Sequence, residues 1–453
     1  MADSKIFNAF NSLPPAPRKF LVFTGINVFS WQCIVGQSLV LFGRALDMPA
    51  SWVGTLLSFL PLSMVLVIFS VPAVQIVGPR KVLILTWLIR NCFAAFVFAI
   101  PLATKFYGTE AAWYILLFST LGFSLARAFG VGSWYPWLYE IVPQPLLGDY
   151  FALETIMVQM INVILILGIG VVLGLTNDVS QFFIVYAFGI AAGLISILFM
   201  RKIPGGRKIS TEPMPFKESF AVIFHAIKNA AYIKFVFFVL LSTASFTWVN
   251  VASALYLRDV IGYSDTRIMY LFAGGAVMIA LTVSFLVRQA EAIGSEKLMA
   301  LLMAAQVLIA ASWCFIDSGD AFTLYSSLLS LSMGSAVSAG FSIIAAKNMM
   351  TLIPYEDRVG YTALWILGIS FANGAPPIIA GFLIDIFHLP GYRASFLISA
   401  GLAFFLCFLW WRFRFEKRAA PTTQNSHPTC RSSLPLRALS RILWIIFGGP
   451  DKK

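Results

Sequence analysis

Twelve apolar blocks run the length of this chain, each long enough to cross a bilayer and separated from the next by a short polar joint. A hydrocarbon core about 30 Å thick takes roughly 20 apolar helical residues to span. The blocks fall at about 19–43, 51–77, 82–104, 111–137, 150–175, 181–200, 233–257, 267–287, 298–316, 322–346, 360–387 and 394–411. Of the 453 residues 59% are hydrophobic and 11% are charged, too few charges to clothe a surface facing water. Backbone groups inside lipid have to be bonded within their own segment, so the blocks are predicted to be helices. Barrel strands would alternate in polarity over about ten residues, and a run such as VLILTWLIRNCFAAFVFAIPLA does not alternate. The expected fold class is an all-α integral membrane protein with twelve transmembrane helices.

The net charge of +12 does not point to nucleic acid, because of where it sits. The two ends and the even-numbered joints carry about 25 of the Lys and Arg residues, and the odd-numbered joints about 5. That asymmetry predicts a multi-pass protein of the cell membrane, plasma or inner, with both termini in the cytoplasm. The basic joints then face the anionic cytoplasmic leaflet, so the bilayer itself is an expected partner. The opening residues MADSKIFNAFNSLPPAPRKF lack the short apolar core of a cleavable signal, and the first span is expected to target the chain. Cys33, Cys92, Cys314 and Cys407 fall in spans, Cys430 follows them, and His225, His388 and His427 are scattered. No disulfide framework, metal site or cofactor is expected from that spacing.

The longest inner joint, 201–232, opens with RKIPGGRKISTEPMP, a polar linker rich in Pro and Gly. Phe216, Phe220, Ile223, Phe224 and Ile227 then fall on one helical face, which predicts a helix lying on the inner leaflet. The joint separates an N-terminal six-helix bundle (19–200) from a C-terminal one (233–411), with a short N-terminus (1–18) and a basic tail (412–453) outside them. The halves match in order. Phe29-Ser30-Trp31 corresponds to Phe246-Thr247-Trp248, VGPRKV to IGSEKL, and Pro143 with Tyr150 to Pro354 with Tyr361. Such a register predicts two pseudo-symmetric parallel bundles, with a solute site near the midplane between them. In the tail, Leu436, Leu439, Ile442, Leu443 and Ile446 make a second apolar stripe, too short to span. It is read as a surface helix or a docking site for a protein partner.

Twelve spans, a basic central joint and two parallel halves resemble the major facilitator superfamily of transporters over about residues 15–415. The superfamily's loop after the second span reads G-x-L-A-D-R-x-G-R-R. Here Gly78, Arg80 and Lys81 match it, while Gln75 stands at the acid. The second copy keeps Glu291, Gly294 and Lys297. The resemblance implies that these residues form a charged latch at the inner gate, with the acid lost from the first copy. LARAFGVGS, with Arg127, Gly130 and Gly132, is similar to the superfamily's fourth-span signature, whose Arg is often tied to proton coupling. The fifth span has Gly168, Gly170 and Gly174 but lacks the Gly-Pro of drug–proton antiporters. NGAPPIIAG in span 11 (Asn373, Gly374, Pro376, Pro377, Gly381) stands at the symmetry-related place, as a flexible element or as close helix packing.

Charges within lipid are costly and usually face a cavity or a partner. Arg127 is expected roughly 16 Å from the cytoplasmic end of span 4 and Arg90 roughly 12 Å into span 3. Either suits a carboxylate or phosphate, or else a structural role. Glu154, about one turn into span 5, is a candidate proton carrier or gate salt bridge; Asp385 reads as an interface residue. Asn27, Ser30, Trp31 and Gln32 in span 1 and Thr247, Trp248 and Asn250 in span 7 offer aromatic faces and amides to a polar organic molecule, with Asn162, Trp365 and Asn373 as further candidates. Trp31 and Trp248 also read as a packing pair. Trp134, Tyr135, Trp137 and Tyr139 read as an interfacial belt.

The resemblance implies a secondary transporter working by alternating access, and these residues suit a small polar organic solute. Two embedded arginines against few embedded acids favour an anionic solute, and Glu154 raises proton coupling. Two alternatives stay open: efflux of lipophilic compounds, and a membrane sensor or scaffold of the same architecture. The chain is not expected to be an enzyme: it has no nucleophile–base pair, metal cluster or Walker-type phosphate loop.

Overall fold

The computed structural model describes residues 10, 13–175, 178–207, 226–317, 321–353 and 358–412. Twelve helices in it are long and apolar enough to cross a membrane: α1 Pro15–Ala45, α2 Ala50–Val77, α3 Pro79–Tyr107, α4 Thr109–Ile141, α5 Tyr150–Leu173, α6 Ser180–Met200, α7 Ala230–Asp259, α8 Asp265–Val283, α9 Ser295–Phe315, α10 Phe322–Leu352, α11 Gly360–Phe387 and α12 Leu389–Arg412. The helix containing α8 continues to Ile293. Large apolar side chains such as Phe188, Leu308, Phe404 and Phe408 are exposed on the outer faces, as lipid-facing helices require. The chain is a multi-pass membrane protein. Twelve crossings put Pro15 and Arg412 on one side, here the terminal face; the joints after α1, α3, α5, α7, α9 and α11 lie on the other. The apolar faces of the linker and tail stripes lie outside the described residues, apart from Ile227, which is exposed.

The repeat expected from sequence is visible in the backbone. Gly78, between α2 and α3, has φ 95° and ψ 142°; Gly294, between the α8 helix and α9, has φ 93° and ψ 141°. Only glycine takes that conformation without a Cβ clash, so it ends one helix and starts the next in the same way twice. The register extends to a pair not marked by motif. Gln32 on α1 donates to Asn162 on α5 at 2.9 Å, and Thr247 on α7 donates to Asn373 on α11 at 3.0 Å. Asn162 and Asn373 stand at the spacing that relates Tyr150 to Tyr361.

The two six-helix halves meet along α2 with α11 and α5 with α8. The first contact is backbone to backbone. A Cβ added at Gly54 would lie 2.1 Å from the Pro377 carbonyl oxygen, and one at Gly381 would lie 2.4 Å from that of Ala50. Gly374 faces Leu62, and Ser58 donates to the Gly374 carbonyl at 2.5 Å. NGAPPIIAG is thus the close-packed seam between the halves, the use of small residues expected where helices associate in lipid. On the second contact Gly170 lies against Met269 and Tyr270, and Gly174 against Thr266.

Candidate solute-binding site and gate

Helix length sets the depth of the arginines. The last helical turns of α4 continue through Trp134–Ile141, where sequence placed an end near residue 137, and α3 starts at Pro79. Arg127 therefore lies roughly 21 Å from the terminal end of its span and Arg90 roughly 16 Å, both deeper than the expected 16 and 12 Å. Both are near the middle of their helices.

Arg90 is fully buried at 0% exposure. Its Nη2 donates to Asn27 Oδ1 at 2.8 Å and lies 3.4 Å from Ser30 Oγ. The guanidinium carbon sits 4.1 Å from the centre of the Trp87 ring and 5.2 Å from that of Phe123. Trp87 Nε1 donates to the same Asn27 oxygen at 2.9 Å. Asn27 is thus turned to α3 and committed there. Arg127 is half-buried and its guanidinium carbon lies 5.8 Å from the centre of the Trp31 ring, a cation–π approach. It is close enough to Arg90 for the two charges to repel. Among the described residues neither arginine makes an ion pair.

Among the described residues the C-terminal half carries no charge in the middle of a span to match. The candidate residues there are the polar Thr247, Trp248, Asn250 and Asn373, with Trp365 half-buried in a stack against Phe235 at 6.1 Å. Asn250 is exposed, and the buried Trp248 Nε1 has no hydrogen-bond partner among the described atoms. Gln32 and Asn373 are half-buried, each held by its α1–α5 or α7–α11 bond. Glu154 sits beside Thr24, within reach of Tyr135 and Tyr150, toward the terminal face and away from the arginines. The aromatic segment divides: Tyr135 and Tyr139 are 54% and 52% exposed, whereas Trp134 and Trp137 turn inward onto Phe20.

The non-terminal face is tied shut between the halves. Asp385, near the end of α11, accepts from the backbone N–H groups of Ala50 and Ser51 at 2.8 Å each, and from the Ser51 hydroxyl. One half thereby caps the first helix turn of the other. Arg44 at the end of α1 pairs with Asp259 at the end of α7, its Nη2 2.9 Å from Oδ2 and its Nε donating to Oδ1 at 3.0 Å, and Tyr392 donates to the same Oδ2 at 2.6 Å. Arg258 donates to the Leu41 carbonyl and approaches Asp265 at 3.5 Å. The sequence marked Asp385 as an interface residue and gave no weight to Arg44 or Asp259. Their one signal was position, since both end repeat-related spans.

At the terminal face each half is tied within itself. Glu291 accepts from Lys347 at 2.7 Å, joining the α8 helix to α10. The Lys347 ammonium holds the Glu291 carboxyl below its ordinary range. Arg80 donates to the Arg201 carbonyl at 2.5 Å, and Gly206 N–H donates to Glu140 at 2.7 Å, so residues 201–206 lie strapped across the N-terminal half. Lys81 and Lys297 are exposed.

No family profile matches the sequence. Multidrug resistance protein 1 of Bacillus subtilis (strain 168) is 25% identical over 245 residues, 52% of this chain and 58% of that protein. The chain thus spans little more than half the length of that curated relative. The likeness to solved structures is longer. A variant of the nucleoside transporter NupG superposes with a TM-score of 0.69 at 15% identity, covering 88% of this chain and 99% of that one. The chain has the major facilitator fold. A bacterial homologue of the iron transporter ferroportin shares that fold at 14% identity, covering 88% of this chain and 99% of the homologue in each of two states. The TM-score is 0.64 to its inward-facing state and 0.58 to its outward-facing state. In the major facilitator fold seen here, Arg90 and Arg127 lie in the N-terminal half and Thr247, Trp248, Asn250 and Asn373 in the C-terminal half.

Proposed function

We propose that this protein is a secondary transporter that moves a small polar, anionic organic solute by alternating access. The observation that carries the reading is Arg127, a half-buried mid-span cation over the Trp31 ring with no carboxylate beside it among the described residues. An unpaired charge at that depth is costly unless a partner arrives. A carboxylate or phosphate on the solute supplies one through charge-assisted hydrogen bonds. Trp248, Asn250 and Asn373 present the neutral wall that would hold the rest of the molecule. The Asp385 cap and the Arg44–Asp259 pair close the non-terminal face, and the better fit to an inward-facing relative agrees with that state. The basic joints argue that the terminal face is cytoplasmic, in the cell membrane. Glu154 is the acid available for proton coupling. If Glu154→Gln leaves transport driven by a pH gradient intact, Glu154 is not the carrier.

The test is thermal stability of the detergent-purified protein against anionic, neutral and cationic metabolites, with Arg127→Ala alongside. A ligand of the folded state raises stability. Anions should raise the melting temperature of the wild type and not of the variant. The partial likeness to a multidrug resistance protein favours a second reading, export of lipophilic compounds. That reading predicts shifts with lipophilic cations that persist in Arg127→Ala.

A further inference from the structure

A cleft of about 670 Å³ lies on the C-terminal half at the non-terminal face, between the α7–α8 joint, the start of α8 and the start of α10. The backbone holds its mouth in place. Gly262, at φ 75°, turns the chain out of α7, and the Tyr263 N–H returns to the Leu257 carbonyl at 2.9 Å, a closure that fixes a helix end. Tyr263 thereby stands beside the first turn of α8, and the Arg267 guanidinium carbon lies 5.9 Å from the centre of its ring. Arg267 is exposed and, among the described residues, makes no ion pair. The neighbouring acid, Asp265, is approached by Arg258 instead. Among the described residues that line the cleft, Arg267 is the one charge.

Depth divides the lining into two levels. Arg267 and Tyr325 lie within the first turns of α8 and α10, at the level of the lipid headgroups, where tyrosine is favoured. Leu271 and Leu328 lie roughly 9 Å in from the starts of those helices, at the level of the acyl chains. Tyr270, Leu324 and Leu328 are exposed, so protein leaves the apolar wall uncovered. Tyr270 also packs against Gly170 of α5, so the cleft borders the seam between the halves. A soluble anion would use Arg267 and leave the apolar wall bare; a hydrocarbon would use the wall and leave the charge. A phosphate carried on acyl chains uses both, and the membrane supplies it.

We propose that this cleft binds an anionic phospholipid of the surrounding leaflet, with its phosphate on the Arg267 guanidinium and an acyl chain along Tyr270, Leu324 and Leu328. The planar guanidinium suits a phosphate. A headgroup of net negative charge is preferred to a zwitterionic one, because the described lining holds no acid to receive an ammonium. The site is apart from the solute face: it lies at the non-terminal end of the C-terminal half, whereas Arg127 lies mid-span in the N-terminal half. It therefore stands whatever the transported solute.

The test uses the full-length protein, purified in detergent and stripped of lipid, and needs no substrate. Dioleoyl phosphatidylglycerol, dioleoyl phosphatidylcholine and glycerol 3-phosphate are titrated separately, with binding counted by native mass spectrometry and melting followed alongside. Phosphatidylglycerol should bind saturably and raise the melting temperature at lower concentration than phosphatidylcholine of the same chains. Glycerol 3-phosphate, the headgroup anion without chains, should do neither. Arg267→Gln should raise the half-saturating concentration of phosphatidylglycerol about fivefold and abolish the preference over phosphatidylcholine, as expected for one basic residue at a membrane surface. Arg393→Gln, which removes another exposed arginine of the same face, should keep the preference, as should Arg127→Ala. Equal binding of the two lipids by the wild type, or a preference that survives in Arg267→Gln, would overturn the assignment. So would a response to glycerol 3-phosphate equal to that of the lipid, which would make the cleft a site for soluble anions.

Discussion

Asp385→Ala should unlock the non-terminal face, and the size of the effect follows from the contacts. The carboxylate accepts two backbone N–H groups at 2.8 Å, both from the first turn of α2, together with the Ser51 hydroxyl. Losing a helix cap costs about 0.5–2 kcal/mol. Losing the carboxylate's attraction for the helix N-terminus adds about 0.3–1 kcal/mol. Those contacts cross between the halves, so they are broken when the face opens and count wholly toward the closed state. A loss of about 2 kcal/mol raises the open-to-closed ratio about 30-fold, at about 1.4 kcal/mol per tenfold. Ala50 reports it, being 1% exposed in the closed state with its carbonyl against Gly381. With the native cysteines changed to serine, Ala50→Cys should react with a membrane-impermeant maleimide at a rate set by the open fraction. Asp385→Ala should speed that reaction by about the 30-fold above. Asp385→Asn, which keeps an acceptor oxygen and loses the charge, should fall between. A rate in Asp385→Ala equal to its parent's would show that the cap does not hold the gate.

Other outcomes follow from the same structure. Gly54→Val has to drive α2 away from the Pro377 carbonyl, a backbone atom that cannot rotate aside, so it should destabilise the closed state by about 1–3 kcal/mol. Gly174→Ala, whose Cβ would meet Thr266 Oγ1 at 3.0 Å, should be milder; the Ala50→Cys labelling rate reads both. Glu291 has its carboxyl held down by Lys347, so its contribution is present above the ordinary carboxylate range, about pH 4, and is lost as pH falls through the depressed value. Melting of Glu291→Gln should lose that component of the acid dependence and match the wild type at the acid end, because the exposed pair contributes only while the carboxylate is charged.

Hydropathy alone placed the twelve helices, because lipid leaves the backbone no alternative to internal hydrogen bonds. The repeat was legible where it rests on backbone demands, as at Gly78 and Gly294, since a positive φ selects glycine at both. Side-chain pairing was not legible. Asp385 read as an interface residue, but its partners depend on α2 and α11 crossing closely enough for a carboxylate to reach a partner helix's first turn. Arg90 read either as a ligand for a carboxylate or phosphate or as a structural charge. That it turns inward between Trp87, Phe123 and Asn27 depends on the rotation of α3, which hydropathy alone does not encode. Depth was underestimated for both arginines because helical hydrogen bonding runs past the ends of the apolar windows.

The central claim is that Arg127 receives the charge of a transported anion. The most direct measurement is uptake of a radiolabelled anionic metabolite, chosen from those that stabilise the purified protein, into proteoliposomes containing wild type or Arg127→Ala. Removing one partner of a charged hydrogen bond costs about 1.5–3 kcal/mol, so the variant's apparent affinity should fall at least about tenfold. The account predicts saturable uptake by the wild type and that loss in the variant. Equal uptake by both proteins, or movement of lipophilic cations with no movement of anions, would contradict it.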